Sequence, residues 1–129
     1  MIVDDADDQL QLMRTVFKIV DPMINVTLAQ SGDDALSYLR QNSIPHSTVV
    51  LLDVRMPGKS GIDVLKEIKA DTKLKGIPVC MFSNGDIQTD IRESYLYGSC
   101  FYFRKPTGIE NLKRFASTFK TICFEFASY

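Results

Sequence analysis

Four aspartates crowd the start of the chain, in MIVDDADDQ, at positions 4, 5, 7 and 8. Adjacent carboxylates repel one another and each resists losing its water, so such a cluster is useful for starting a helix or holding a cation. Asp53, Ser83 and Lys105 follow later, each just after a short apolar run. Asp4, Asp5 and Asp53 together are a hard-oxygen donor set suited to Mg²⁺ (or Mn²⁺), which binds few carboxylates and keeps several waters. A bound cation offsets the repulsion that a phosphate dianion would meet there, and one carboxylate can then act as a nucleophile toward phosphorus. Lys105 offers a cation to a phosphoryl oxygen, and the Ser83 hydroxyl offers a hydrogen bond to another.

These residues meet only if the elements between them bring them together. Ile2 and Val3 read as a strand end. Leu10, Met13, Phe17 and Val20 recur at helical steps over Asp7–Val20, and Asp21-Pro22 stops that helix. Asp7 and Asp8 then fall at its cap and first turn, where they accept from free N–H groups, while Asp4 and Asp5 close the strand. Ile24, Val26 and Leu28 alternate as a strand; Ala35, Leu36 and Leu39 mark a short helix. Thr48 to Leu52 is a nearly unbroken apolar run, as expected of a strand covered on both faces. A helix through Ile62, Leu65 and Ile68 follows, then a strand over Ile77 to Phe82 and a helix over Asp86 to Tyr97. The last pair is a strand over Cys100 to Phe103 and a helix from Thr107 to about Phe126. Strict alternation of five strands and five helices is the pattern of a doubly wound parallel sheet. Ligands bind such sheets at the carboxyl ends of the strands, where all five chemistry-bearing residues fall.

Composition removes other classes. With 129 residues, 45% of them hydrophobic, the chain suits one domain over 1–129, with no linker to a second one. A net charge of -1 with both signs dispersed gives no field for nucleic acid or an anionic membrane. No apolar run is long enough to span a bilayer, and the first residues lack the order of a signal peptide. Cys80, Cys100 and Cys123 form no CxxC pair and read as buried free thiols in a reducing cytosol. His46, the only histidine, sits in a loop-like stretch, which argues against a zinc cluster or a histidine-based triad.

The set DD (4–5), LLDVRMPGKSG (51–61), MFSNG (81–85) and YFRKP (102–106) resembles the receiver domain of two-component response regulators over essentially the whole chain. Positions 53 and 83 lie 30 residues apart, and 83 and 105 lie 22 apart, both usual for that family. The resemblance implies a flavodoxin-like three-layer sandwich with strand order 2-1-3-4-5. It implies that Asp53 accepts a phosphoryl group from a sensor histidine kinase or phosphotransfer protein. Asp4 and Asp5 would bind Mg²⁺, Asp5 more directly, with the backbone carbonyl of Arg55. Ser83 matches the switch hydroxyl, Tyr102 the switch aromatic and Lys105 the invariant lysine, whose bond to Pro106 is commonly cis in the family. Phosphate on Asp53 would draw Ser83 inward, let Tyr102 follow, and remodel the surface of the fourth helix, fifth strand and fifth helix.

The implied protein is a stand-alone, cytoplasmic, chemotaxis-regulator-like switch for an unknown downstream protein, with only self-directed phosphotransfer chemistry. Two features depart from the family pattern. Only three residues precede Asp4, which predicts a frayed or trimmed first strand. The last helix carries Phe119, Ile122, Cys123, Phe124 and Phe126, more than one face can hide, which makes it a candidate homodimer surface. An aspartate-nucleophile phosphohydrolase fits less well, because position 55, where its acid/base aspartate would stand, is arginine. A receiver-shaped scaffold would normally have lost one of the five residues, and a flavin phosphate would be repelled by the aspartates after the first strand.

Overall fold

The computed structural model describes residues 1–85 and 87–125, without the side chain of Glu125. Its elements are β1 (Ile2–Val3), α1 (Asp7–Val20), β2 (Leu28–Ala29), α2 (Gly32–Gln41), β3 (Val50–Asp53), α3 (Gly61–Ala70), β4 (Val79–Ser83), α4 (Gln88–Leu96), β5 (Phe101–Arg104) and α5 (Ile109–Lys120). All strand pairs are parallel and the sheet order is β2-β1-β3-β4-β5, as expected.

Alternation along the strands builds two cores. Val3, Val50, Leu52, Val79 and Met81 face α2 and α3, where Leu36, Leu39, Val64, Leu65 and Ile68 meet them. Ile2, Leu51, Cys80 and Phe82 face α1 and α5. The first core is mainly aliphatic; the second carries a network of aromatic edges. Phe17 meets Phe119 at 5.6 Å and 84°, and Phe103 meets Phe115 at 5.2 Å and 83°. Each such pair adds about 0.5–1.5 kcal/mol beyond the area it buries. Because the central strands are covered on both sides, the site at their ends rests on a rigid floor.

Several local expectations are corrected. β1 is not frayed: Ile2 and Val3 are buried and pair with both β2 and β3. Of the strand expected over Ile24–Leu28, only Leu28 lies in β2. Asp21 turns the chain there instead, its carboxylate accepting from the Met23 N–H at 3.0 Å and its carbonyl from the Ile24 N–H at 3.1 Å. Ile24 and Val26 pack on the aromatic core rather than joining a ladder. β4 starts after Pro78, which has no N–H to give.

The cap position of α1 is Ala6, with no side-chain bond, so Asp7 and Asp8 keep only the first-turn part of their expected role. The last helix begins later than expected because Gly108 precedes it at φ 82, a conformation that interrupts helical geometry. It passes into a π-helical turn at Thr121–Glu125. The wider turn spreads Ile122, Cys123 and Phe124 to half-buried positions. Phe126 lies outside the described residues, as does Asp86 at the expected start of α4.

His46 is exposed in a loop, as expected. Of the cysteines, Cys80 is buried and its Sγ lies 4.0 Å from that of Cys123, but Cys100 is exposed because it precedes an edge strand. On the free edge of β5, the Tyr102 N–H donates to the Tyr95 hydroxyl of α4 at 3.1 Å. Among the described residues, no helix is long and apolar enough to cross a membrane.

Candidate functional site

β1 and β3 are neighbours in register, Val3 beside Leu52, so the next residue of each, Asp4 and Asp53, comes off the same edge of the sheet. Both are buried, while Asp5, one step further into the loop, is exposed. Carboxylate oxygens of Asp4, Asp5 and Asp53 all lie within 4.8 Å of one another.

Lys105 reaches the same point from the end of β5. Its backbone N–H donates to the Ser83 carbonyl at 2.6 Å, anchoring the chain, and its Nζ lies 5.1 Å from the centroid of the Phe82 ring. The ammonium stands 3.0 Å from Asp4 Oδ2 and 3.3 Å from Asp53 Oδ2. A buried carboxylate pair needs a positive charge, and here the lysine bridges it.

The balance at Asp53 still disfavours the charged form relative to a free carboxylate. Burial pushes its carboxyl from 3.8 up to about 6; Lys105 pulls it down, Asp4 pushes it up, and the Arg55 N–H, 3.4 Å from Oδ1, pulls it down slightly. A divalent cation would supply charge that one ammonium does not. All three donors are oxygen and two are buried, while Asp5 faces solvent; this fits Mg²⁺ or Mn²⁺ with retained waters better than a nitrogen- or sulfur-seeking metal.

Ser83 is buried at the end of β4, with its hydroxyl accepting weakly from the Gly85 N–H at 3.4 Å. Tyr102 is half-buried and its hydroxyl donates to the Gly85 carbonyl at 3.3 Å, so both expected switch residues touch the same loop residue. The Lys105–Pro106 bond is trans, not cis as the resemblance implied; every described peptide bond is trans. Trans is the ordinary preference of an X–Pro bond by about 0.5–1 kcal/mol.

Two contributors escaped the sequence reading. Gly61 packs its Cα against the main chain of Asp53, where a Cβ would come within 2.1 Å of the Asp53 carbonyl oxygen. Asp90, on the first turn of α4, holds the Arg55 guanidinium at 2.6 Å. A glycine three residues after Pro-Gly is a weak signal for the first. A pair 35 residues apart leaves no local signal for the second.

The family model for the response regulator receiver domain matches residues 1–116. Chemotaxis protein CheY-3 of Vibrio cholerae is 34% identical over 113 residues, covering 88% of this chain and 84% of that protein. Among solved structures, the phosphorylated cyanobacterial phytochrome response regulator RcpA superposes with a TM-score of 0.87 at 28% identity, covering 97% of this chain and 92% of that one. The Mn²⁺-bound form of response regulator Rcp1 gives 0.79 at 26% identity, covering 93% and 89%.

Proposed function

Because this chain belongs to the response regulator receiver domain family, we propose that it is a phosphorylation switch with Asp53 as the acceptor. The observation that carries this reading is the buried Asp4–Lys105–Asp53 arrangement beside Asp5 at the carboxyl edge of the sheet. Asp4, Asp5 and Asp53, with the Arg55 carbonyl, would hold Mg²⁺ or Mn²⁺, and the cation bound there supplies charge neutralisation for an incoming phosphoryl group.

The remaining roles fall to the chain's own groups. A carboxylate oxygen of Asp53 forms a bond to phosphorus. The bond from phosphorus to the donor, an imidazole nitrogen of a histidine kinase or phosphotransfer protein, breaks, and the donor nitrogen keeps the electron pair. Lys105, now shared by Asp4 and Asp53, neutralises charge on the phosphoryl oxygens, and the Ser83 hydroxyl turns from Gly85 to donate to one of them. Hydrolysis then returns Asp53 as its only chemical product within the protein, so the activity is self-directed rather than that of an enzyme acting on a separate substrate.

Ser83 and Tyr102 share Gly85, so drawing Ser83 toward phosphate frees the loop that holds Tyr102. The face that responds is formed by α4, β5 and α5, where Tyr95, Leu96, Tyr97, Phe101 and Ile109 are exposed for a downstream protein. The half-buried end of the last helix around Phe124 is a surface for a second copy. Function in the cytoplasm, beside a kinase and its ATP, follows from this reading.

Intact-mass analysis after incubation with acetyl phosphate tests it, with and without Mg²⁺, on the wild type and Asp53→Asn. One phosphoryl adduct that requires both Mg²⁺ and Asp53 is expected. No adduct with acetyl phosphate or a kinase donor, and no beryllofluoride binding, would overturn the reading.

A further inference from the structure

Among the described residues, Arg55 and Asp90 make the shortest ion pair near the site, at 2.6 Å between Nη2 and Oδ2, and it joins unlike partners. The main chain of Arg55 stands beside the acceptor, its N–H 3.4 Å from Asp53 Oδ1. Its side chain is 64% exposed, whereas that of Asp90 is only 13% exposed. The carboxylate is the settled member of the pair, and the arginine is the member free to leave.

α4 itself is lightly held. Ser94 is its one buried residue among those described, and no side chain caps its start. Asp90 sits in its first turn, where the helix dipole favours a carboxylate. The bridge to Arg55 is thus a side-chain tie between that turn and the loop after β3. Lys105, the other cation at the site, is already committed between Asp4 and Asp53.

We propose that Arg55 is a shared cation. It pairs with Asp90 while Asp53 is unmodified, and it exchanges Asp90 for the phosphoryl oxygens once Asp53 carries phosphate, which releases the first turn of α4. The inference rests on Asp53 being the acceptor. A phosphoryl group brings about -1.5 to -2 charge and three acceptor oxygens within two residues of Arg55. It offers the guanidinium fork more partners than the single contact to Asp90. Charge added on β3 is thereby converted into loss of a tie on α4, and linkage makes the coupling reciprocal.

Beryllofluoride, a phosphoryl analogue, is the probe, titrated calorimetrically with Mg²⁺ into the full chain. Asp90→Asn frees Arg55 and is expected to tighten binding about two- to fivefold, the range of an exposed ion pair. Arg55→Gln is expected to weaken binding, and adding Asp90→Asn to it should change nothing further. Hydrogen exchange at Ile91, whose N–H donates to the Ile87 carbonyl and closes the first turn of α4, and at the two residues after it gives a second readout: protection should fall on beryllofluoride binding in the wild type and be low from the outset in Asp90→Asn. A purely structural Asp90 would not tighten binding when removed. Wild-type binding with no gain in Asp90→Asn, or the same gain without Arg55, overturns the exchange alone. A wild type that binds no beryllofluoride overturns the acceptor reading as well.

Discussion

Asp53→Asn should stabilise the metal-free protein at pH 8 and leave it unchanged at pH 4. The Asp53 carboxyl is raised from 3.8 to about 6, chiefly by burial, so between those values the folded state holds more protons than the unfolded one. Stability is therefore fully present below about pH 4 and lost as pH rises through 6. Two pH units correspond to at most about 3 kcal/mol at ~1.36 kcal/mol per unit. Solvent reaching the site beside exposed Asp5 screens part of this, leaving about 1–2 kcal/mol. Asparagine keeps an acceptor for the Arg55 N–H and for Lys105 but carries no charge. Thermal unfolding followed by circular dichroism in EDTA at pH 4, 6 and 8 should show the variant higher by about 3–8 °C at pH 8, with the gap closing toward pH 4. Mg²⁺ at pH 8 should narrow the gap by stabilising the wild type more. A gap of equal size at all three pH values, or a variant less stable at pH 8, would show instead that Lys105 already compensates the buried carboxylate.

Gly61→Ala drives a Cβ into the Asp53 carbonyl, so a loss of about 1–3 kcal/mol in urea unfolding is expected together with slower adduct formation with acetyl phosphate. Unchanged stability would show that the loop after β3 yields freely. Phe124 is half-buried, with its ring 6.3 Å from that of Phe119. Phe124→Glu should abolish concentration-dependent association in sedimentation velocity, and a wild type that stays monomeric at every concentration would end the dimer reading.

Asp4, Asp53, Ser83 and Lys105 were legible because each follows an apolar run whose length and composition mark a strand, and parallel strands deliver their last residues to one edge. The same logic explains what was hidden. β2 looked longer because Ile24 and Val26 alternate, yet alternation reports which side chains are buried, not which backbones are paired. Ala6 holds the cap of α1 because the Asp4 carboxylate turns back to accept from the Ala6 N–H at 3.0 Å, a choice set by the end of β1 rather than by cap preference. The Arg55–Asp90 bridge depends on how α4 lies against the loop after β3, a tertiary fact with no periodic trace. The π-helical turn beyond Lys120 arises where more apolar side chains seek cover than one helical stripe provides.

The hydrogen bond from the Tyr102 N–H to the Tyr95 hydroxyl bears on how the molecule stays apart from its own copies. An open sheet ends in two unpaired borders, and a border strand with vacant donors and acceptors is a template for another chain. At one border β2 is only two residues long, too short to seed a ladder. At the other, β5 is apolar and exposes Phe101, and a phenol borrowed from α4 occupies the donor at its second residue. At the β5 border, protection from edge-to-edge stacking therefore draws on a hydroxyl supplied by a neighbouring helix, whereas at the β2 border it comes from the shortness of the strand itself.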